Sequence, residues 1–456
     1  MYLKIQNIFF ALVLTLASGT LVDACLTPQS GAKSDAMETK DSAAPQTQDT
    51  EMSAEAKAFL NLQNVIKKNK ARIDQLYRTL PIGFPKRRDK FKEEIDNLTK
   101  ANVELEKQVF SKAKAAFASS EKPSQQSVTI LQNRLISTLR PAGLDDRFDP
   151  ESSLELIFML KEKFPENKSL LEYEFLANYA LERFEESKAA LIKLEEATKS
   201  SAAQTLSLSR RIVDAKTELA ETIDKYQQEL LIRRLESNTD DLPRVLIETT
   251  EGNILVELFE NHAPNTVANF IHLARDQKFY DGKLFHLVKP GEYAQTGSPN
   301  GDGMGDAGYR IPCECYQENI RSHFRGTLSM ISPTKDRGGS QFFITQQPNP
   351  RSFDGKYTAF GRVLEGMDVV MKLKNVDLSG RLSSAANVSK INRVVVQRTR
   401  SHPYVPTKLK SGFARPDANI GSASKGSGSR NQDPPASEAT DTPGSFDLLI
   451  QGNGGK

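Results

Sequence analysis

Between Asn238 and Pro243 the spacing of apolar residues changes, and no single regular architecture accommodates both sides of that point. Upstream, Phe59, Leu62, Ile66, Asn69, Ile73, Leu76 and Leu80 recur at steps of three and four, which places them along one face of a helix. After the breaker Pro81-Ile82-Gly83-Phe84-Pro85, a second seam runs through Phe91, Ile95, Leu98, Asn102, Leu105 and Val109. Downstream, Val245–Thr250 and Ile254–Leu258 flank Glu251-Gly252-Asn253, two runs of strand length around a turn signal. A chain of 456 residues is long enough for more than one core, so the change of period marks a domain boundary. We expect a multidomain protein with an all-α region over residues 53–237 and a β-rich domain over 243–400.

The two seams read as antiparallel helices joined by the Pro/Gly loop. Asn69 lies eleven residues before Leu80 and Asn102 eleven after Phe91, so the two amides sit level, either bonded across the hairpin or both facing solvent. A hairpin of this length serves self-association or a protein partner more naturally than chemistry. Further on, Pro165 precedes a run through Leu170, Phe175, Tyr179, Phe184, Ala189 and Leu194 that resembles one tetratricopeptide repeat. Ser187 stands where such repeats usually carry alanine, and Ser152–Lys163 has the pattern of the closing helix of a preceding unit. So few repeats need flanking helices as caps, and a generic helical bundle fits the same pattern.

The ends of the chain are polar or signal-like. Lys4, the apolar run Ile8–Ala17 and Val22-Asp23-Ala24-Cys25 compose an export signal, and the last tetrapeptide also resembles a lipoprotein lipobox with Cys25 as the acylated residue. Cleavage with and without lipidation both stay open, and the expected location is exported, either periplasmic or anchored as a lipoprotein. Residues 26–52 read as a tether and 401–456 as a tail without a core-forming pattern, with Phe446–Ile450 its single apolar cluster. A net charge of +3 argues for no nucleic-acid partner, and membrane contact is expected only through a lipid anchor. The cysteines are Cys25, Cys313 and Cys315, too few for a disulfide framework or a structural zinc site.

In the β-rich half, several separated motifs agree. Ala263-Pro264-Asn265-Thr266 opens a helix whose buried face carries Val267, Phe270, Ile271 and Leu273. Lys283–Gly297, Arg325–Met330 and Gly339–Thr345 follow. With Asn269-Phe270, these segments resemble the cyclophilins, the β-barrel peptidyl-prolyl cis-trans isomerases, over roughly Pro243 to Thr399. The resemblance implies a closed antiparallel β-barrel with two capping helices, Val363–Leu373 as the second cap and Arg393–Val396 as closing strand. It implies proline-containing polypeptides as clients, and no cofactor or metal.

Rotation about a prolyl bond faces a barrier of roughly 20 kcal/mol. A catalyst needs an apolar pocket for the ring, anchors for the peptide backbone and a donor aimed at the twisted amide nitrogen. By the resemblance, His286 and Gln295 match catalytic positions, and Phe343, Met330, Gln341, Phe353, Tyr357 and Ile331 match substrate-binding ones. The departures are as specific. Leu287 stands where the family has its catalytic arginine. Glu292 and Tyr293 replace a phenylalanine and a methionine, Ser352 replaces an aromatic or histidine, and Ser332 an asparagine. Arg310, Arg321, Arg325 and Arg337 are the candidates for a displaced donor. Two functions from different classes follow: an isomerase of reduced turnover assisting exported proteins, or a proline-binding scaffold. Gly303-Met304-Gly305-Asp306-Ala307-Gly308 fits a nucleotide fingerprint, but strand and turn follow it where that motif needs a helix.

Overall fold

The computed structural model describes residues 54–79, 85–141, 147–165, 167–199, 205–374 and 388–409. The signal segment with Cys25, the tether, the loop 81–84 and the tail beyond residue 409 lie outside the described residues. The described residues belong to one compact unit.

The first seam forms α1 (Ala54–Arg78) and the second α2 (Pro85–Ser119). Phe59, Ile66 and Leu76 of α1 are buried, as are Ile95, Asn102 and Val109 of α2, so the steps of three and four did mark the packed faces. The asparagines meet: Asn69 Nδ2 donates to Asn102 Oδ1 at 2.8 Å. Five more helices follow: α3 (Gln125–Leu139), α4 (Pro150–Lys163), α5 (Lys168–Ala180), α6 (Phe184–Lys199) and α7 (Thr205–Thr239). Their starts obey capping chemistry, with side chains of Ser124, Asp149 and Asn167 accepting from the backbone N–H groups of Ser127, Ser152 and Leu170. In the α5–α6 pair, Ser187 is fully buried and donates to the Phe175 carbonyl at 3.0 Å, which accounts for a hydroxyl at a close-packed position.

The second half is an eight-stranded antiparallel sheet: β1 (Arg244–Thr249), β2 (Gly252–Leu258), β3 (Leu287–Lys289), β4 (Tyr293–Thr296), β5 (Thr327–Met330), β6 (Phe342–Thr345), β7 (Thr358–Glu365) and β8 (Ile391–Arg398). The order is β3-β4-β6-β5-β7-β2-β1-β8. The two ends meet at an isolated bridge, Leu284–Lys390, flanked by Phe285 N–H to the Ser389 carbonyl at 2.9 Å and Ile391 N–H to the Lys283 carbonyl at 2.8 Å. The barrel is therefore not fully closed, contrary to the expectation of a closed one: β3 and β8 do not pair, and a single bridge among the described residues joins the two ends. Its interior holds Val245, Val256, Ala294, Leu328, Phe342 and Ile344. One end is capped by α8 (Pro264–Ile271), which inserts Phe270 against Phe342, ring centroids 5.4 Å apart. The second cap is shorter than expected. Val363–Glu365 stays in β7, and only Met367–Val370 is helical. Gly366 enforces the break, since it has φ +91° and an added Cβ would fall 2.2 Å from the Asn253 carbonyl oxygen.

Helices and sheet share an interface. Phe324, just before β5, belongs to the core of α5, α6 and α7, and its ring lies 5.0 Å from that of Tyr226. Beside it, Arg321 is fully buried. Its Nε and Nη2 donate to Glu229 at 2.8 and 2.6 Å, its Nη1 donates to Glu236 at 2.6 Å, and its guanidinium carbon stacks 3.7 Å from the Phe259 ring centre.

Candidate functional site

Sheet register assembles the site. Leu287 pairs with Gln295, Gln295 with Phe343, Phe343 with Ser329, and Ser329 with Ala359. Directly opposed residues in antiparallel strands project from the same face, so these five form one row across the outside of the barrel. The rows on either side face inward: Ala294, Ile344 and Leu328 in one, Phe342 and Met330 in the other. The period of two thus separates Phe343, at the site, from Phe342, in the core.

Phe343 nevertheless has only 1% of its surface exposed. Tyr293 and Tyr357 cover it with ring centroids at 5.3 and 5.4 Å, Phe353 at 5.2 Å, and His323 stacks on it at 6.1 Å with an interplanar angle of 14°. Phe353 comes from the short helix α9 (Pro350–Phe353), whereas Tyr293 extends from β4. His323 was missed in the sequence. Its Nδ1 lies 2.8 Å from Asp354 Oδ1, its Nε2 lies 2.8 Å from Ser329 Oγ, and Lys225 of α7 donates to the other Asp354 oxygen at 2.8 Å. Burial pushes the Asp354 carboxyl up, but His323 and Lys225 outweigh it and hold the group below its ordinary value. A polar chain therefore runs from the helical region to the floor of the aromatic cluster. The only local hint was a histidine six residues before Ser329, a spacing that points nowhere until β5 and the preceding loop are folded together.

Gln295 and Gln341 come together. Gln295 Nε2 donates to Gln341 Oε1 at 3.1 Å, and Gln341 Nε2 donates to the carbonyls of Gly303 and Gly305 at 3.0 and 2.8 Å. The glycine-rich loop is thus tied to the site by its carbonyls and is followed by no helix, in keeping with the rejection of a nucleotide cradle. Ile331 donates its N–H to the Gln341 carbonyl at 2.9 Å, which ties the end of β5 to the start of β6. Tyr357 and Phe353 are half-buried beside Phe343.

Two expected residues are placed elsewhere. Met330 is 2% exposed and packs in the barrel core, because its register partner is Phe342 and not Phe343. His286 precedes Leu287 and points away from the row; it is 2% exposed beneath Gly303, and neither ring nitrogen has a hydrogen-bond partner of ordinary geometry. Burial lowers its pKa, with the Asp302 charge acting weakly in the other direction, so the ring is neutral at pH 7.

The replaced positions change the character of the site. Leu287 is half-buried at the start of β3, beside the Gln295 amide, and offers no donor. Burial raises the Glu292 carboxyl above its ordinary value against the pull of Lys289, and burial raises the Tyr293 phenol. The four candidate arginines differ in how far they are committed to other partners. Arg321 is sealed between Glu229 and Glu236, Arg325 pairs with Glu151 at 2.8 Å, Arg310 lies 3.9 Å from Asp306, and Arg337 is exposed beyond Ser332.

A family model described as cyclophilin type peptidyl-prolyl cis-trans isomerase/CLD matches residues 244–399. A peptidyl-prolyl cis-trans isomerase of Synechococcus elongatus is 46% identical over 138 residues, covering 30% of this chain and 92% of that protein. Peptidyl-prolyl cis-trans isomerase B of Bacillus subtilis is 46% identical over 129 residues, covering 28% of this chain and 88% of that protein. A crystal structure of a cyclophilin type isomerase of Cryptosporidium parvum, obtained in the presence of the dipeptide Ala-Pro, is 29% identical and covers 34% of this chain and 99% of that one, with a TM-score of 0.29.

Proposed function

Through residues 244–399 this chain belongs to the cyclophilin-type peptidyl-prolyl cis-trans isomerases, and on that premise we propose that it is a slow isomerase acting on exported, proline-containing polypeptides. The observation that carries the reduced turnover is the cross-strand row, in which Leu287 occupies the place beside Gln295 and Phe343 from which a donor would reach the prolyl amide. Removing one preorganised donor costs on the order of 3 kcal/mol, about 10²–10³ in rate. What remains is a backbone anchor at Gln295, Gln341 and Ile331 and an aromatic cluster on Phe343 able to receive a proline ring once Tyr293 swings aside.

A scaffold that binds without turnover is the second reading, favoured by Leu287, which removes the donor and leaves the paired Gln295 and Gln341 amides in place. In the first reading the helical region, with its tetratricopeptide-like pair α5–α6, recruits clients, and the export signal, with or without acylation of Cys25, places the protein outside the cytoplasm. A protease-coupled assay on a short peptide with one prolyl bond separates the two. The isomerase reading expects catalysis above background but more than about tenfold below a cyclophilin that retains its arginine. Rates within that tenfold would refute the reduced turnover, and no catalysis with retained peptide binding would establish the scaffold. Mass spectrometry of the mature N-terminus reads acylation of Cys25 directly.

A further inference from the structure

One wall of the aromatic cluster rests on a very short element. Helix α9 is a single turn, closed by Phe353 N–H to the Asn349 carbonyl at 3.2 Å and Asp354 N–H to the Pro350 carbonyl at 2.9 Å. One turn fixes several dihedrals for very few hydrogen bonds, so it does not hold itself in water. Yet it carries Phe353, whose ring lies 5.2 Å from that of Phe343, 5.7 Å from Tyr357 and 6.1 Å from Tyr293. The support comes from α7. Glu218 and Lys225 stand about two turns apart on that helix and so face the same side. Arg351 Nη1 donates to Glu218 Oε2 at 3.0 Å, and Lys225 Nζ donates to Asp354 Oδ2 at 2.8 Å, so α9 is gripped at both ends. Both carboxylates are mostly buried, which strengthens pairs that would be weak in open water. The other Asp354 oxygen accepts the His323 backbone N–H at 2.9 Å. Next to Lys225, Tyr226 donates to Glu182 at 3.3 Å, and Glu182 accepts the Arg325 N–H at 2.7 Å. One helix of the α-helical region thus fixes both segments that border Phe343 on this side.

We infer that Lys225 and Glu218 are positioning residues of the isomerase site, which hold Phe353 against Phe343 from the helical region without touching the substrate. The inference rests on the isomerase reading of that pocket. Phe353 borders the place of the proline ring in the ground state and in the transition state alike, so displacing it weakens binding and leaves the bond rotation itself unaltered. Losing either grip therefore raises KM and the peptide Kd and spares kcat. A mere loss of folded protein has the opposite signature, a lower apparent kcat at unchanged KM. The helical region is then the outer wall of the site as well as a neighbour packed on the sheet domain.

The test uses the full chain with Lys225→Met and, separately, Glu218→Gln. Fluorescence polarisation of fluorescein-labelled Ala-Ala-Pro-Ala reads Kd, and the protease-coupled assay reads KM and kcat. We expect Kd and KM to rise at least about threefold in each variant, with kcat within about twofold of the parent. Lys225→Arg retains the cation and should bind within about twofold of the parent. Lys216→Met, which on the same helix loses only a 2.6 Å pair with Glu195, should do the same. Urea unfolding verifies the fold, and Glu218→Gln, which keeps the shape of the side chain, carries the test should Lys225→Met not fold. Unchanged Kd and KM in the folded variants, or a fall in kcat alone, would overturn the positioning role and leave the isomerase reading standing. A parent chain that neither binds nor turns over the peptide would overturn that reading, and this inference with it.

Discussion

Replacing Leu287 by arginine tests whether one missing donor accounts for the proposed slow turnover. The position is half-buried at the start of β3, directly opposite Gln295, and Gln295 is in turn opposite Phe343. Opposed residues have Cβ atoms about 4.5–5.5 Å apart, so a guanidinium at 287 emerges over the row in which a bound prolyl bond would lie. A preorganised donor there is worth about 3 kcal/mol in the transition state, or about 10²–10³ in kcat/KM. Against this, the proline ring must displace Tyr293 from Phe343, a ring pair of the kind worth about 0.5–1.5 kcal/mol. We expect Leu287→Arg to raise kcat/KM at least about tenfold, and Leu287→Arg with Tyr293→Met to add roughly a further twofold to tenfold. The protease-coupled assay with the short prolyl peptide reads both, and urea unfolding verifies that neither variant is destabilised. If both variants, folded, gain nothing, the donor argument is wrong and the altered pocket as a whole limits turnover.

Further outcomes follow from the packing. Arg321→Met leaves Glu236 buried without its cation and Glu229 with Arg233 alone, so we expect a loss of about 3–5 kcal/mol in urea unfolding; a loss under about 1 kcal/mol would show that the cluster is solvated. Asn102→Ala orphans the Asn69 amide and should cost about 1–3 kcal/mol, whereas Asn69→Leu with Asn102→Leu should come within about 1 kcal/mol of the parent. The raised Glu292 carboxyl means that the folded protein binds more protons than the unfolded chain, so its contribution is present below the ordinary value of 4.5 and is lost as pH rises through the higher folded value. Glu292→Gln should therefore be the more stable protein at pH 7 and should flatten the pH dependence above 4.5; a parent that gains stability over that window through this residue would contradict the sign.

Periodicity and spacing made the architecture legible because they are local properties. The step of three and four predicted the faces of α1 and α2, the shift to a period of two marked the sheet, and Gln295, Gln341 and Phe343 were identifiable from their motifs. The faces of neighbouring strands were not. Alternation says that Ser329 and Met330 point opposite ways, but only the register of β5 against β6 sets Ser329 beside Phe343 and Met330 in the core. The same holds for Arg321, a plausible displaced donor by position, which pairs with glutamates 92 and 85 residues away. His323 likewise gains its place only through Asp354 and Lys225. The sequence by itself determined a helical region, a cyclophilin-type sheet domain and the absence of an arginine at Leu287. Tertiary structure alone decided that Phe343 lies under its own aromatic cover and that Arg321 is held away from the site by Glu229 and Glu236, because strand register and buried ion pairs are set by long-range packing and leave no periodic trace along the chain.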